Sequence, residues 1–91
     1  MMWLPALLLT VSVAFAQSAA QLDAALTKNP DNMKVRLQLA GLNANENRYD
    51  KVIELLNPYT DQLDEKGFLL LASSYAKKKD YGNEVRILNF L

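Results

Sequence analysis

The sequence predicts an all-α protein in which antiparallel helical hairpins stack as an α-solenoid. The first observation is an internal repeat, because residues 33–59 align with residues 65–91 at an offset of 32. A period of this length is typical of solenoid repeats. The second observation is that apolar residues recur at helical spacing after residue 17, with no alternation of period two. The repeat is carried by the pairs Leu37/Leu69, Leu39/Leu71, Ala40/Ala72, Tyr49/Tyr81 and Leu56/Leu88.

The composition argues against several functional classes. The 91 residues include ten basic and ten acidic side chains, no His and no Cys. A nucleic-acid interface would need a basic excess on one face, which this balance does not indicate. Without His or Cys the chain lacks the commonest general base, the commonest metal ligand and a thiol nucleophile. We therefore expect neither an enzyme nor a nucleic-acid-binding protein, and no cofactor or metal.

The amino-terminal end is a different kind of segment, because all twenty charged side chains lie at or after Asp23. Residues 3–16 form an apolar run that is too short to span roughly 30 Å of hydrocarbon as a helix. The triplet Ala14-Phe15-Ala16 supplies a small-x-small cleavage site. We expect residues 1–16 to be a signal peptide cleaved after Ala16. The protein would then be exported to the periplasm or cell envelope without a stable membrane span.

Two other interpretations of this segment stay open, because no Lys or Arg precedes the apolar run. The segment could remain as an uncleaved anchor, or it could form a buried first helix.

The remaining chain has the local signals of helices joined by short turns. Residues 17–28 have helical spacing, and Asn29-Pro30 ends this helix because a residue before proline is pushed out of the α region. Asn32 is then a suitable N-cap for a helix over residues 33–45.

The second half repeats this arrangement. A helix over residues 49–57 is expected to end near Pro58, which cannot occupy a helix interior. Asp64 is a plausible cap for a helix over residues 65–79, and the last helix is expected over residues 81–91. Turns of a few residues between helices favour antiparallel neighbours, so the helices should pair as hairpins.

The spacing of large and small residues within each hairpin carries a family resemblance. Leu39-Ala40 and Leu71-Ala72 form a Leu-small pair in the first helix of each hairpin, and Tyr49 supplies an aromatic in the second helix. These blocks resemble tetratricopeptide repeats, whose period is about 34 residues. The resemblance covers roughly residues 22–91. Arg36 departs from the pattern, because it stands where the first helix usually carries an aromatic.

The resemblance implies a right-handed solenoid with a defined division of the chain. Residues 17–30 would be the end of a partial repeat, and residues 31–62 the first repeat. Residues 63–91 would be a second repeat that ends within its second helix, called helix B. The implied function is a non-catalytic scaffold for protein–protein interaction. A peptide or partner helix would bind on the concave face lined by the first helices, called A helices.

The binding positions follow from the same pattern. Leu37 and Gly41 stand where a carboxylate-clamp type of repeat has Lys and Asn, so we do not expect recognition of an acidic C-terminal tail. A mixed apolar and basic groove is expected instead. The expected binding residues are Lys34, Leu37, Gln38, Gly41, Asn45, Lys66, Leu69, Leu70, Ser73 and Lys77.

Other roles stay open at this point. The chain could be a purely structural or oligomerising piece, or the recruiting fragment of a longer repeat protein or enzyme without binding activity of its own. Residues 87–91 are mostly apolar, and a contiguous apolar surface marks an interface. We therefore expect that the chain continues with more repeats, or that this end docks on a partner or on a second copy.

Overall fold

The computed structural model describes residues 19–91, so the expected signal peptide lies outside the described residues. Within this range there are α-helices and one short 3₁₀ helix but no strand, which confirms the predicted all-α class. The helices are α1 (residues 19–28), α2 (Met33–Asn45), α3 (Tyr49–Leu56), the 3₁₀ helix (Asn57–Tyr59), α4 (Glu65–Lys77) and α5 (Tyr81–Leu88). None of these helices is both long enough and apolar enough to cross a membrane.

The second hairpin repeats the first residue for residue. The starts of α4 at Glu65 and of α5 at Tyr81 lie 32 residues after the starts of α2 and α3. The lengths also agree, with 13 residues in α2 and α4 and 8 residues in α3 and α5. The repeat found in the sequence is therefore a repeat of the structure.

The two A helices begin with the same cap. The side chain of Asn32 accepts a hydrogen bond from the backbone N–H of Val35 at 3.2 Å. Asp64 accepts one from the N–H of Gly67 at 2.8 Å, and it occupies the equivalent position. A side-chain oxygen at this position satisfies one of the amides that the first turn leaves without a partner. Both predicted caps are confirmed.

The turns inside the two hairpins are also equivalent. Asn47 and Lys79 have φ angles of 63° and 62°, in the left-handed region. Their backbone amides donate to the carbonyls of Ala44 and Ala76 at 3.0 and 2.9 Å. A left-handed residue after the helix ends the α-helical path and reverses the chain direction. Each hairpin therefore reverses its direction through a turn that contains one residue in the left-handed conformation.

The hairpins stack through a continuous apolar core. Helix α3 packs against both α2 and α4, and α5 packs against α4. Ala40 and Ala72 are 0% and 3% exposed, as expected for small residues at close helix contacts. Since one hairpin cannot cover both of its faces, stacking supplies the core. The buried apolar residues are Leu26, Leu39, Ala40, Val52, Leu55, Leu56, Leu63, Phe68, Leu71, Ala72, Tyr75 and Ile87.

Two helices end at least two residues earlier than the sequence predicts, and α3 ends one residue earlier, at Leu56. Helix α4 ends at Lys77 instead of residue 79, because the positive φ of Lys79 belongs to the turn. Helix α5 ends at Leu88, and the amides of Phe90 and Leu91 donate to carbonyls three residues earlier. Such bonds tighten a last turn and end the α-helical ladder.

The left-handed turn yields a test of backbone strain. The β-carbon of an L-residue is disfavoured in this region, whereas glycine is not. We expect Lys79→Gly to have a free energy of unfolding about 1 kcal/mol higher than that of Lys79→Ala. Both variants remove the same charged side chain. The difference between their free energies of unfolding, measured by urea denaturation, therefore reports the backbone strain at residue 79. An alanine variant as stable as the glycine variant would contradict this account of the turn.

Candidate functional site

A groove with a volume of ≈ 1080 Å³ lies between α1, α2 and α4. Helices α2 and α4 lie against each other on its floor. A β-carbon added to Gly67 on α4 would lie 3.2 Å from Cδ2 of Leu37 on α2, which is tighter than an ordinary contact. The absence of a side chain at Gly67 therefore lets the two A helices approach and share one surface.

The lining of the groove divides into an apolar base and a polar rim. The apolar residues are all half-buried, and they are Leu22, Leu37, Leu42, Ala44 and Leu70. The polar residues are all exposed, and they are Gln21, Lys34, Gln38, Asn45 and Lys66. Two lysines and no acid line the groove, so its charge is positive. This arrangement can hold apolar side chains at the base and an acidic group at the rim.

The structure brings together most of the residues that the sequence predicts for the site. Seven of the ten line the groove, and they are Lys34, Leu37, Gln38, Gly41, Asn45, Lys66 and Leu70. Leu69, Ser73 and Lys77 do not line it, and all three are exposed on α4. Leu37 on α2 faces the next A helix, α4. Leu69 is the equivalent residue on α4, and no A helix after α4 is described. Leu69, Ser73 and Lys77 therefore have no second helix opposite them that would complete a groove.

Four lining residues were missed by sequence reasoning. Gln21 and Leu22 belong to α1, which forms one wall of the groove, and Leu42 and Ala44 belong to α2. The repeat pattern assigns binding positions to A helices and assigns Leu22 to packing. Only the partial burial of these side chains shows that they face the groove. The assignment of residues 17–30 to a partial repeat before the first hairpin was the available signal, but it was not used to extend the binding positions to α1.

Arg36 is buried beside the groove, with 7% of its surface exposed. Its Nη1 donates to the carbonyl of Leu55 at 2.9 Å. Its Nη2 donates to the carbonyl of Pro30 at 2.8 Å and to the hydroxyl of Tyr59 at 3.1 Å. The guanidinium thus links α2 to the end of α3 and to the turn before α2. Its Nε is buried without a partner among the described residues.

Arg36 also makes a stacking contact with an aromatic ring. Its guanidinium carbon lies 3.9 Å from the centroid of the Tyr59 ring. In the second hairpin, Phe68 is the equivalent of Arg36, and its ring stacks on Phe90 with centroids 5.3 Å apart and planes 6° apart. Phe90 lies one position before Leu91, which is the equivalent of Tyr59. A planar guanidinium stacks on an aromatic face much as another ring does. Arg36 therefore stacks on an aromatic ring although it is not aromatic itself, and it also donates hydrogen bonds that a ring could not.

The remaining charged groups have ordinary roles at helix ends and on the surface. Among residues 19–91 the ion pairs are Arg48–Glu46, Lys51–Glu54 and Lys78–Asp50. Exposed pairs of this kind contribute little to stability. Neither groove lysine takes part in these pairs. No group of three or more acidic side chains in this part of the chain is arranged to hold a metal ion.

The buried guanidinium yields a stability prediction. Arg36→Met keeps most of the side-chain volume but removes both donated bonds to backbone carbonyls. Because buried carbonyls without donors are costly, we expect a loss of about 1–3 kcal/mol in the free energy of unfolding. Tyr59→Phe keeps the ring and removes one acceptor, so its cost should be about 0.5–1.5 kcal/mol. Thermal and urea unfolding would measure both, and a methionine variant as stable as the unmodified chain would disprove the proposed linking role.

The family comparison covers the same helices that build the groove. A family model described as "Tetratricopeptide repeat" matches residues 14–81, which is about three quarters of the 91 residues. No curated protein and no solved structure gives a significant match. The matched range contains α1 to α4 and every lining residue of the groove. With its repeated hairpins, equivalent turns and this match, the chain belongs to the tetratricopeptide repeat family.

Proposed function

We propose that the chain is a non-catalytic scaffold that holds a peptide or a partner helix in the groove between α1, α2 and α4. Members of this family generally mediate protein–protein interactions, and their repeats are typically non-catalytic. The observation that carries the proposal is the groove itself, with its volume of ≈ 1080 Å³ and its apolar base. A groove of this size accommodates several side chains of a bound segment.

The lining defines the chemistry of the bound segment. Leu22, Leu37 and Leu70 are half-buried in the free chain, so apolar side chains of a partner would complete their burial. Lys34 and Lys66 are exposed on the rim and take no part in the ion pairs of residues 19–91. An acidic side chain of the partner would pair with them. The bound segment is therefore apolar with at least one acidic residue.

An internal segment fits this groove better than a free C-terminal carboxylate. The clamp type of repeat places Lys and Asn at the positions of Leu37 and Gly41. Here those positions carry an apolar side chain and no side chain. The polar contacts that hold a terminal carboxylate are therefore replaced by apolar surface.

We also propose that the protein acts outside the cytoplasm, in the periplasm or cell envelope, after removal of residues 1–16. The support is the uncharged apolar run of residues 3–16, followed by the small-x-small triplet Ala14-Phe15-Ala16. An interaction scaffold in this compartment would assemble other exported proteins.

Gly41 offers a test of the groove in which binding and stability move in opposite directions. A β-carbon on Gly41 would meet no atom of the described residues within 4 Å, because the position opens into the groove. Gly41→Leu should fill the groove and weaken peptide binding at least tenfold. Stability should rise by about 1 kcal/mol, since glycine is a poor residue in a helix interior. Peptides selected from a displayed random library would be measured by calorimetry, together with thermal unfolding.

Gly82→Leu is the matched control. Gly82 also has open space around its β-carbon position, but it lies on α5 outside the groove. It should leave the affinity for the selected peptides unchanged. Selected peptides should be enriched in apolar residues with an acidic residue. A library that yields no binder, or binders that Gly41→Leu does not weaken, would refute the proposed site.

Export is tested by expressing the chain in a bacterial host that has a periplasm. The intact mass of the periplasmic material should correspond to a chain that begins at Gln17. Ala16→Glu places a charge at the cleavage site, so it should leave an uncleaved precursor. Recovery of the unmodified chain only in the cytoplasm, with its first residues retained, would contradict export.

A further inference from the structure

The two lysines of the groove lie at the same end of it. Lys34 is the second residue of α2, and Lys66 is the second residue of α4. A β-carbon on Gly67, the next residue of α4, would lie 3.2 Å from Cδ2 of Leu37, which follows Lys34 by about one helical turn. The first turns of α2 and α4 are therefore neighbours, and the two helices run in the same direction. Both lysines line the groove beside these first turns.

The backbone adds to the positive charge at this end of the groove. Aligned peptide dipoles make the N-terminal end of a helix positive, so α2 and α4 both present their positive ends here. The first turn of α2 contains no acidic residue. Asp64 and Glu65 lie next to Lys66, but neither lines the groove, and Asp64 is occupied as the cap of α4. We call the part of the groove at Lys34 and Lys66 the cationic end.

The opposite end of the groove is apolar and uncharged. Leu22 on α1 lies there with Leu42, which is near the end of α2. Because α1 reverses into α2 through a short turn, the first residues of α1 lie beside the last residues of α2. Ala19 and Asn43 accordingly line one further cavity together. The polar lining residues at this end carry no charge, and they are Gln21 and Asn45.

A short segment can span the distance between the two ends. Lys34 and Leu42 are separated by about 12 Å along the axis of α2. An extended segment covers this distance with about four residues. The half-buried side chains of Leu37 and Leu70 lie between the ends. A carboxylate held against them would lose its water without gaining a cation, which is unfavourable.

We propose that the groove selects a partner segment by the position of its acidic residue. The bound segment carries its carboxylate at one end of its apolar stretch, where it pairs with both Lys34 and Lys66. Its apolar side chains then extend towards Leu22 and Leu42. Packed helices lie roughly 8–10 Å apart and lysine has a flexible four-carbon stem, so both ammonium groups can reach one carboxylate. This inference rests on the proposed function and adds the register in which the segment binds.

A charge cycle tests the cationic end. The probe is a capped peptide from the displayed library, together with a version in which its acidic residue is changed to the corresponding amide. At low salt, where charges are least screened, we expect the acidic peptide to bind at least tenfold more tightly than the amide peptide. Lys34→Gln combined with Lys66→Gln should remove this preference and leave the affinity for the amide peptide unchanged. Calorimetry would measure all four combinations.

Lys77→Gln combined with Lys79→Gln is the matched control. Both lysines are exposed, take no part in the ion pairs of residues 19–91 and do not line the groove. The control removes the same net charge, so the preference for the acidic peptide should persist. Equal loss of preference in the two double variants would overturn the proposal, since net charge alone would then explain the binding.

The position of the acid is tested in the peptide. Moving the acidic residue to the middle of the apolar stretch keeps the composition and the charge of the peptide. It should weaken binding at least tenfold, because the carboxylate would then lie against Leu37 and Leu70. Equal affinity of the two peptides would overturn the proposal, as would selected peptides that contain no acidic residue.

These outcomes are distinct from a failure of the groove itself. Gly41→Leu tests whether a segment occupies the groove, whereas the lysine variants and the moved acid test only its register. Peptides that Gly41→Leu weakens, but whose acidic preference survives Lys34→Gln with Lys66→Gln, would leave the proposed function standing and refute this inference.

Discussion

The packing of α4 against the first hairpin, mainly through α3 and also through α2, is the contact on which the stacking and the groove both depend. With no side chain at Gly67, the side chain of Leu37 can lie against the backbone of α4. The second hairpin then packs on the first, and Leu56 and Leu71 become fully buried between them. The same approach places two A helices side by side, so their outer residues form one continuous lining. Core and groove therefore both depend on how α4 packs on the first hairpin.

Local backbone chemistry prepares the hairpins for this contact. Equivalent caps at Asn32 and Asp64 start the A helices in the same way, and left-handed residues at Asn47 and Lys79 end them. Because these features recur 32 residues apart, the second hairpin presents the same faces as the first. Arg36 shows how far a residue can depart from the pattern, since its stacked guanidinium replaces a ring while its hydrogen bonds satisfy nearby carbonyls. In such proteins stability is approximately a sum of repeat and interface terms.

The chemistry of the groove has a structural reason. The groove lies where neighbouring A helices meet, and its polar rim and half-buried base suit a segment that adds to an existing surface. No helix after α5 is described, and Leu88 on α5 is 39% exposed, whereas its equivalent Leu56 is 0% exposed between the hairpins.

The sequence by itself determined the helices, their caps, the period and the family. These features depend on residues close together in the chain, such as Asn32 with Val35, so local spacing is sufficient to predict them. It also located seven of the ten predicted groove residues, because the repeat pattern specifies which side of an A helix faces outward. Only the tertiary structure decided that α1 forms a wall and that Leu69, Ser73 and Lys77 lie outside the groove. It likewise decided that Arg36 is a buried link. The physical reason is that a residue's burial depends on which helix lies beside it, and helical periodicity specifies a face without specifying its neighbour.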